Sequence, residues 1–203
     1  MYLLCTDGVA EFDLATQRFK TLLQGNVDAI YFNEKLYIGK REEVFVYNES
    51  TGNFDLFYHL AGKNITLSCL HLDKNKNLWM GTTSNGIYCL SEDKSLSQPV
   101  TKGNITSIYE DSSNELWIGS WEEGLYRVKT DGNIENLRHN PMNTNSLCSN
   151  FVRSCCEDNS GDLWIGTFNG LNRYGRETGK FHLYTANGNS PEGLTHSSIW
   201  GIV

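Results

Sequence analysis

The strongest constraint on the fold is a motif that recurs five times along the chain. Its copies read YLLCTDGVAEF, LYIGKREEVFVY, LWMGTTSNGIYCL, LWIGSWEEGLYRV and LWIGTFNGLNRY. One position of the motif is occupied in turn by Leu3, Tyr37, Trp79, Trp117 and Trp164. The copies therefore follow one another at roughly 40-residue intervals, a period at which each repeat is one small supersecondary unit that is stabilised by its neighbours.

Each unit is predicted to contain four short strands. The first strand is an apolar run such as Ile105–Glu110, and an Asp/Asn turn separates it from the Leu-Trp-Ile-Gly element that forms the second. A Gly-containing loop leads to the third strand, and a further turn leads to the fourth, such as Phe181–Tyr184. The first two strands do not alternate polar and apolar residues, which indicates burial on both faces. No helical period of 3.6 residues competes with this pattern.

Four-stranded units of this length predict an all-β chain, a single β-propeller segment over residues 1–203. We expect four complete blades at 25–60, 63–101, 103–140 and 148–186, with partial blades at 1–24 and 195–203, about five blades' worth in all. The repeat frame is interrupted at both ends, which favours a segment cut from a larger, seven-bladed propeller. The alternative is that Ile199–Val203 pairs beside Tyr2–Thr6 and closes a five-bladed ring.

Composition and motifs exclude several function classes. The formal net charge of −7, with no basic cluster, disfavours nucleic-acid binding. No run of about 18 apolar residues is present, so no membrane span is predicted in this segment. The cysteines and histidines lack metal-ligand spacing. The adjacent pairs Glu42-Glu43 and Glu122-Glu123 are expected to point apart along a strand. We therefore expect no catalytic residues, no metal and no cofactor.

Candidate binding residues come from the blade topology. In an up-and-down blade, the loop between the second and third strands emerges on the same face as the connection to the next blade, and loops on a rigid scaffold often carry function. Exposed aromatic side chains in these loops could stack on sugar rings, whereas the motif tryptophans are predicted to be core. The alternative is a solvated rim or a docking surface for a neighbouring propeller. The predicted ligand-binding residues are Arg41, Asn85, Trp121, Glu122, Phe168, Asn169, His139 and Asn143, with Asn145, Asn187 and Glu192 on the same face.

Two stretches carry a family resemblance. The segments Ile-Thr-Ser-Ile-Tyr-Glu-Asp (105–111) and Glu-Asp-Asn-Ser-Gly-Asp-Leu-Trp-Ile-Gly-Thr (157–167) resemble the two-component regulator propeller repeat, and Asn145-Ser146-Leu147 is similar to that family's blade-to-blade connection. The resemblance implies a periplasmic sensor region of a Bacteroidetes hybrid two-component sensor histidine kinase that regulates glycan utilisation. The implied ligand is an oligosaccharide, and the parent chain would be anchored in the inner membrane.

No kinase ATP-binding loop or phospho-accepting helix occurs in this sequence. Any kinase activity would belong to the parent chain, so this segment is not expected to be an enzyme. Two alternatives remain open from the residues alone. One is a scaffold propeller that contacts only proteins, such as neighbouring blades or a second protomer. The other is a carbohydrate-active enzyme.

Overall fold

The computed structural model describes residues 1–5, 7–62, 64–186 and 194–202, and these residues form eighteen strands. Within this part of the chain, no helix long and apolar enough to cross a membrane is found. In chain order the strands are β1 (Tyr2–Cys5), β2 (Gly8–Asp13), β3 (Arg18–Gln24), β4 (Ala29–Asn33), β5 (Lys35–Lys40), β6 (Glu43–Asn48), β7 (Asn53–His59), β8 (Leu67–Leu72), β9 (Leu78–Thr82), β10 (Ile87–Leu90), β11 (Ile105–Glu110), β12 (Leu116–Ser120), β13 (Leu125–Val128), β14 (Ile134–Leu137), β15 (Val152–Glu157), β16 (Leu163–Thr167), β17 (Gly170–Gly175) and β18 (Lys180–Tyr184).

The strands form five antiparallel sheets in simple chain order, which we call the first to fifth blades. The first blade is β1-β2-β3, the second β4 to β7, the third β8 to β10, the fourth β11 to β14 and the fifth β15 to β18. The leading strands of the second to fifth blades, β4, β8, β11 and β15, pack beside one another in order. This arrangement confirms the predicted all-β partial propeller.

The third blade differs from the prediction of four strands over 63–101. Its expected fourth strand is reduced to a single bridge between Leu90 and Leu96. Further along, the Oγ of Ser97 accepts the hydrogen bond from the Cys89 N–H, at 2.9 Å, in place of a backbone carbonyl. Pro99 has no N–H to continue a ladder. The edge of this blade is therefore paired only at isolated points.

The described residues do not form the closed five-bladed ring. Strand β1 pairs with β2 and with no other described strand. Ile199 instead donates its N–H to the Thr167 carbonyl at 2.9 Å, so this segment packs on the fifth blade, as the start of a first strand should. Val203 lies outside the described residues.

Neighbouring blades meet at the glycine of each Leu-Trp-Ile-Gly element. A Cβ placed on Gly119 would lie 2.4 Å from the Ser107 Oγ of its own blade and 2.8 Å from Val152 Cγ1 of the next. Contacts this short leave no room for a side chain, which explains why glycine recurs here. The corresponding distances are 2.8 Å from Gly81 to Ile105 and 2.7 Å from Gly166 to Ile199, and Gly39 is less tightly enclosed, at 3.1 Å from Leu67.

The motif tryptophan is held by the aspartate of the preceding turn. In the fourth blade the Trp117 Nε1–H donates to Asp111 Oδ2 at 2.6 Å. The corresponding distances are 2.9 Å in the third blade and 2.8 Å in the fifth. Trp117 is completely buried because Tyr174 of the fifth blade covers it, with ring centroids 5.5 Å apart.

The core prediction is confirmed for Trp79 and Trp117, whereas Trp164 is only partly buried. Trp164 belongs to the fifth blade, where no described blade follows to cover it. Its ring stacks on Tyr184 of the same blade, with centroids 5.5 Å apart.

Candidate functional site

A buried hydroxyl fixes the loop between the second and third strands in the third, fourth and fifth blades. Ser120 is fully buried, donates to the Gly124 carbonyl at 2.7 Å and accepts from the Glu123 N–H at 2.9 Å. Thr82 and Thr167 make the same pair of bonds in the third and fifth blades. Because both backbone groups are satisfied internally, these loops are rigid supports for the side chains they present.

The connection between the fourth and fifth blades is also held by its own side chains. The His139 Nδ1 lies 2.7 Å from the Leu147 carbonyl; the carbonyl can only accept, so Nδ1 carries the hydrogen. The His139 N–H donates to Asn150 Oδ1 at 2.8 Å. Asn143 Oδ1 accepts from the Asn145 N–H at 3.0 Å. His139 and Asn143 therefore form hydrogen bonds that stabilise the loop itself.

An aromatic row, Trp121, Phe151 and Phe168, crosses the seam between the fourth and fifth blades on this face. The Trp121 and Phe151 ring centroids are 5.5 Å apart and edge-on, and those of Phe151 and Phe168 are 6.2 Å apart. Phe168 is 53% exposed, while Trp121 and Phe151 are partly buried. The structure thus brings two of the predicted residues together through a third that the sequence did not indicate.

Arg153 lies over one end of the aromatic row. Its guanidinium carbon lies 4.6 Å from the Trp121 ring centroid and 3.7 Å from that of Trp200. Both distances are within the range of cation–π attraction. The side chain forms no ion pair with a described residue, and its Nε is buried without a hydrogen-bond partner there.

Of the other predicted ligand-binding residues, two lie in the loops of the aromatic row and two lie in other blades. Glu122 and Asn169 are exposed in the same loops as Trp121 and Phe168. Arg41 and Asn85 are exposed in the loops of the second and third blades, and among the described residues no hydrogen bond or ring contact joins them to the aromatic row. The Arg41 N–H instead donates to Asp28 Oδ2 at 2.5 Å. Asn187 and Glu192 lie outside the described residues.

On the opposite face, where the turns between first and second strands lie, acidic side chains form ion pairs and hydrogen bonds between blades. Arg176 pairs with Asp111 at 2.7 Å and with Glu157 at 3.2 Å, which ties the fourth and fifth blades together. Burial raises the pKa of Asp111, but hydrogen bonds from Trp117 and Arg176 outweigh it, so the net pKa lies below its ordinary value. Glu157 also accepts from the Ser112 N–H at 2.8 Å. These acids are engaged in holding blades together.

In each of the adjacent pairs Glu42-Glu43 and Glu122-Glu123, one glutamate contacts a basic side chain. Glu123 forms an ion pair with Arg138, and Glu42 lies 3.2 Å from His59 Nε2. Among the described residues, no group of three or more His, Cys, Asp or Glu side chains is placed to hold a metal ion.

Comparison with known proteins gives the repeats a family. Residues 59–84, 99–122 and 146–169 match the model of the two component regulator propeller. No curated protein matches the chain.

Solved structures with a similar fold include two extracellular domains from B. thetaiotaomicron. That of a putative hybrid two component system has a TM-score of 0.68 at 23% identity, covering 91% of this chain and 25% of its own. That of a putative one component system has a TM-score of 0.61 at 18% identity, covering 97% and 35%. This chain thus spans between a quarter and about a third of the length of these structures.

Virginiamycin B lyase from Staphylococcus aureus is similar at a TM-score of 0.68 and 14% identity, covering 92% of this chain and 64% of its own. At such identities the likeness establishes the fold. The matched segments contain the Asp–Trp hydrogen bond and the inter-blade glycine of the third, fourth and fifth blades. Three segments of the chain therefore match the two-component regulator propeller repeat, and the described strands form part of a β-propeller.

Proposed function

We propose that this chain is part of the periplasmic ligand-sensing region of a hybrid two-component sensor histidine kinase that controls glycan utilisation. The family of its repeats supports this proposal. So does the likeness to an extracellular domain of a putative hybrid two component system. In this proposal the parent protein is anchored in the inner membrane, and catalysis belongs to its kinase portion. The present segment binds a ligand and passes the signal on.

The aromatic row is the observation that carries the binding part of the proposal. A pyranose ring has faces of C–H groups that pack on aromatic side chains, while its hydroxyls need polar partners. Trp121 and Phe168 supply the aromatic faces, and the exposed side chains of Glu122 and Asn169 supply polar groups beside them. A mostly apolar surface with a few fixed polar groups is the usual composition of a small-molecule site.

The rigidity of the support favours binding as well. The loops that carry Trp121 and Phe168 are closed by the fully buried hydroxyls of Ser120 and Thr167. A surface already fixed in its binding conformation loses little conformational entropy when a ligand arrives.

Calorimetric titration with a panel of oligosaccharide fragments tests the proposal. We expect at least one fragment to bind, and Trp121→Ala and Phe168→Ala each to weaken that binding by roughly tenfold, about 1.4 kcal/mol. Phe19→Ala is the matched control, because Phe19 is an exposed aromatic residue of β3 in the first blade and should leave affinity unchanged. Absence of binding across the panel, or binding insensitive to both loop variants, would contradict the proposal.

A further inference from the structure

The first strands of the third, fourth and fifth blades share a β-bulge. In two of them the bulged residue forms a hydrogen bond with the next blade. The ladder shifts register between Leu67 and Cys69, and at the equivalent places in β11 and β15. In the third blade the bulged Ser68 donates its hydroxyl to the Ile105 carbonyl of the next blade, at 2.6 Å. In the fourth, Thr106 donates to the Val152 carbonyl at 2.7 Å. The repeat therefore uses a short hydroxyl side chain here to tie successive blades.

Arg153 occupies this bulge in the fifth blade and breaks the pattern. It gives up the inter-blade hydroxyl bond and places a guanidinium between the indoles of Trp121 and Trp200. Its Nε is buried and has no hydrogen-bond partner among the described residues. Unsatisfied buried polar groups cost free energy and are rare. Contacts with two tryptophan rings therefore replace the inter-blade hydrogen bond that Thr106 makes in the fourth blade.

Arg173 also has a buried Nε without a described hydrogen-bond partner, but the other part-buried arginines differ from Arg153 in their ion pairs. Each of them has a carboxylate partner: Arg127 lies 2.6 Å from Glu115, Arg173 lies 2.6 Å from Asp162, and Arg176 lies 2.7 Å from Asp111. Arg127 and Arg173 also lie over tryptophan rings, at 5.1 and 5.8 Å. Arg153 differs in that no described carboxylate accompanies its aromatic neighbours. A guanidinium stacked in this way is held in orientation, but its charge is not neutralised.

We propose that Arg153 is the anion-recognition residue of the aromatic row, so that the ligand is an acidic saccharide, one whose ring carries a carboxylate or sulfate group. This inference rests on the proposed function and specifies the ligand class. The sugar ring packs against Trp121 while the acid group meets the planar fork of the guanidinium, a geometry that suits carboxylate and sulfate oxygens. The overall charge of −7 gives no general attraction for anions, so such affinity must come from a local site.

Matched pairs of acidic and neutral ligands measure how much the ligand's charge contributes to binding. One pair is trigalacturonate and its fully methyl-esterified form, and the other is a sulfated dextran fragment and the same fragment without sulfate. We expect the acidic member of at least one pair to bind the full chain at least about tenfold more tightly than its neutral partner. That preference should decline as salt concentration rises.

Three variants test whether Arg153 is the residue responsible for the preference for acidic ligands. Arg153→Thr restores the residue type that works in the fourth blade, so it should fold with unchanged secondary structure and lose the preference for the acidic ligand. Arg153→Lys keeps the charge without the planar fork and should retain only part of it. Arg18→Gln, which removes an exposed arginine of β3, is the control and should change nothing.

The outcomes separate this inference from the proposed function. Equal binding of acidic and neutral partners, abolished by Trp121→Ala, would overturn the role of Arg153 and leave oligosaccharide sensing intact. A preference for acids that survives in Arg153→Thr would also overturn it. If no member of either pair binds, the inference fails. If no oligosaccharide of the wider panel binds either, the proposed function fails as well.

Discussion

Gly119 and Val152 lie in direct contact across the seam between the fourth and fifth blades, so closely that a Cβ on Gly119 would be 2.8 Å from Val152 Cγ1. The second short contact, 2.4 Å to the Ser107 Oγ, comes from the other side of the same position. The glycine is therefore held between its own blade and the next. Gly39, Gly81 and Gly166 occupy the same position in the second, third and fifth blades. In each of these blades one small residue sets how closely the following segment approaches.

Gly119→Ala should destabilise the fold, because the added methyl group must displace either a strand of its own blade or the next blade. We expect a loss of about 1–3 kcal/mol or more in the free energy of unfolding, the usual cost of overpacking. Gly201→Ala is the control, since nothing lies within 4 Å of a Cβ at that position. Urea denaturation measures both, and equal stability of the two variants would contradict this account of the seam.

The two tryptophans of the fourth blade should differ in what they contribute to stability. Trp117 is completely buried and bonded to Asp111, so Trp117→Ala should cost about 3–5 kcal/mol. Trp121 is partly buried beneath Arg153, so Trp121→Ala should cost about 1–2 kcal/mol, somewhat more than a free surface residue. Chemical denaturation of both variants decides it, and a reversed order would be evidence against the assignment of core and surface.

Acid should weaken the seam through Asp111. Its pKa in the folded chain lies below the ordinary value, so its contribution to stability is present above about pH 3.9, the unfolded value, and is lost as pH falls through the folded pKa. Asp111→Asn should therefore be less stable than wild type at pH 7 and should lose less further stability between pH 5 and pH 2. Denaturation curves across that range test this, and parallel pH profiles would contradict it.

The buried thiols should be chemically inert in the folded chain. Burial raises the pKa of Cys69 and of Cys155 to about 12, so at pH 8 only about one molecule in 10⁴ carries the reactive thiolate at either position. Cys5 is exposed and should be alkylated first by iodoacetamide. Peptide mass spectrometry should find Cys69 and Cys155 modified only after unfolding in urea. Rapid modification of either thiol without denaturant would show that the blade seams open readily.

Much of the fold could be predicted because the repeat period, the turn aspartates and the motif glycines are local signals. The fourth strand of the third blade could not, since its loss depends on Ser97 replacing a backbone acceptor and on the position of Pro99. The loop face was predicted from topology, and the approach of Trp121 to Phe168 agrees with it.

The centre of the candidate site required the structure. Phe151 and Arg153 belong to the start of a core strand, where sequence reasoning expects packing residues, and only the neighbouring blade places them beside Trp121. One signal was available: Arg153 aligns with Ser68 and Thr106 and is the only charged residue of the three. Conversely, His139 and Asn143 have the residue types of a binding site, but their bonds are used within the loop.

Hydrogen–deuterium exchange on the full chain, with and without the tightest-binding oligosaccharide of the panel, determines which face of the propeller binds the ligand. We expect the ligand to slow exchange in peptides covering 119–124, 148–153 and 167–171, the segments that form the aromatic row. The turns at 111–115 and 158–162 lie on the opposite face and should be unchanged. Protection confined to those turns, or an identical ligand footprint in Trp121→Ala at the same occupancy, would contradict the claim that this loop face is where the propeller meets its ligand.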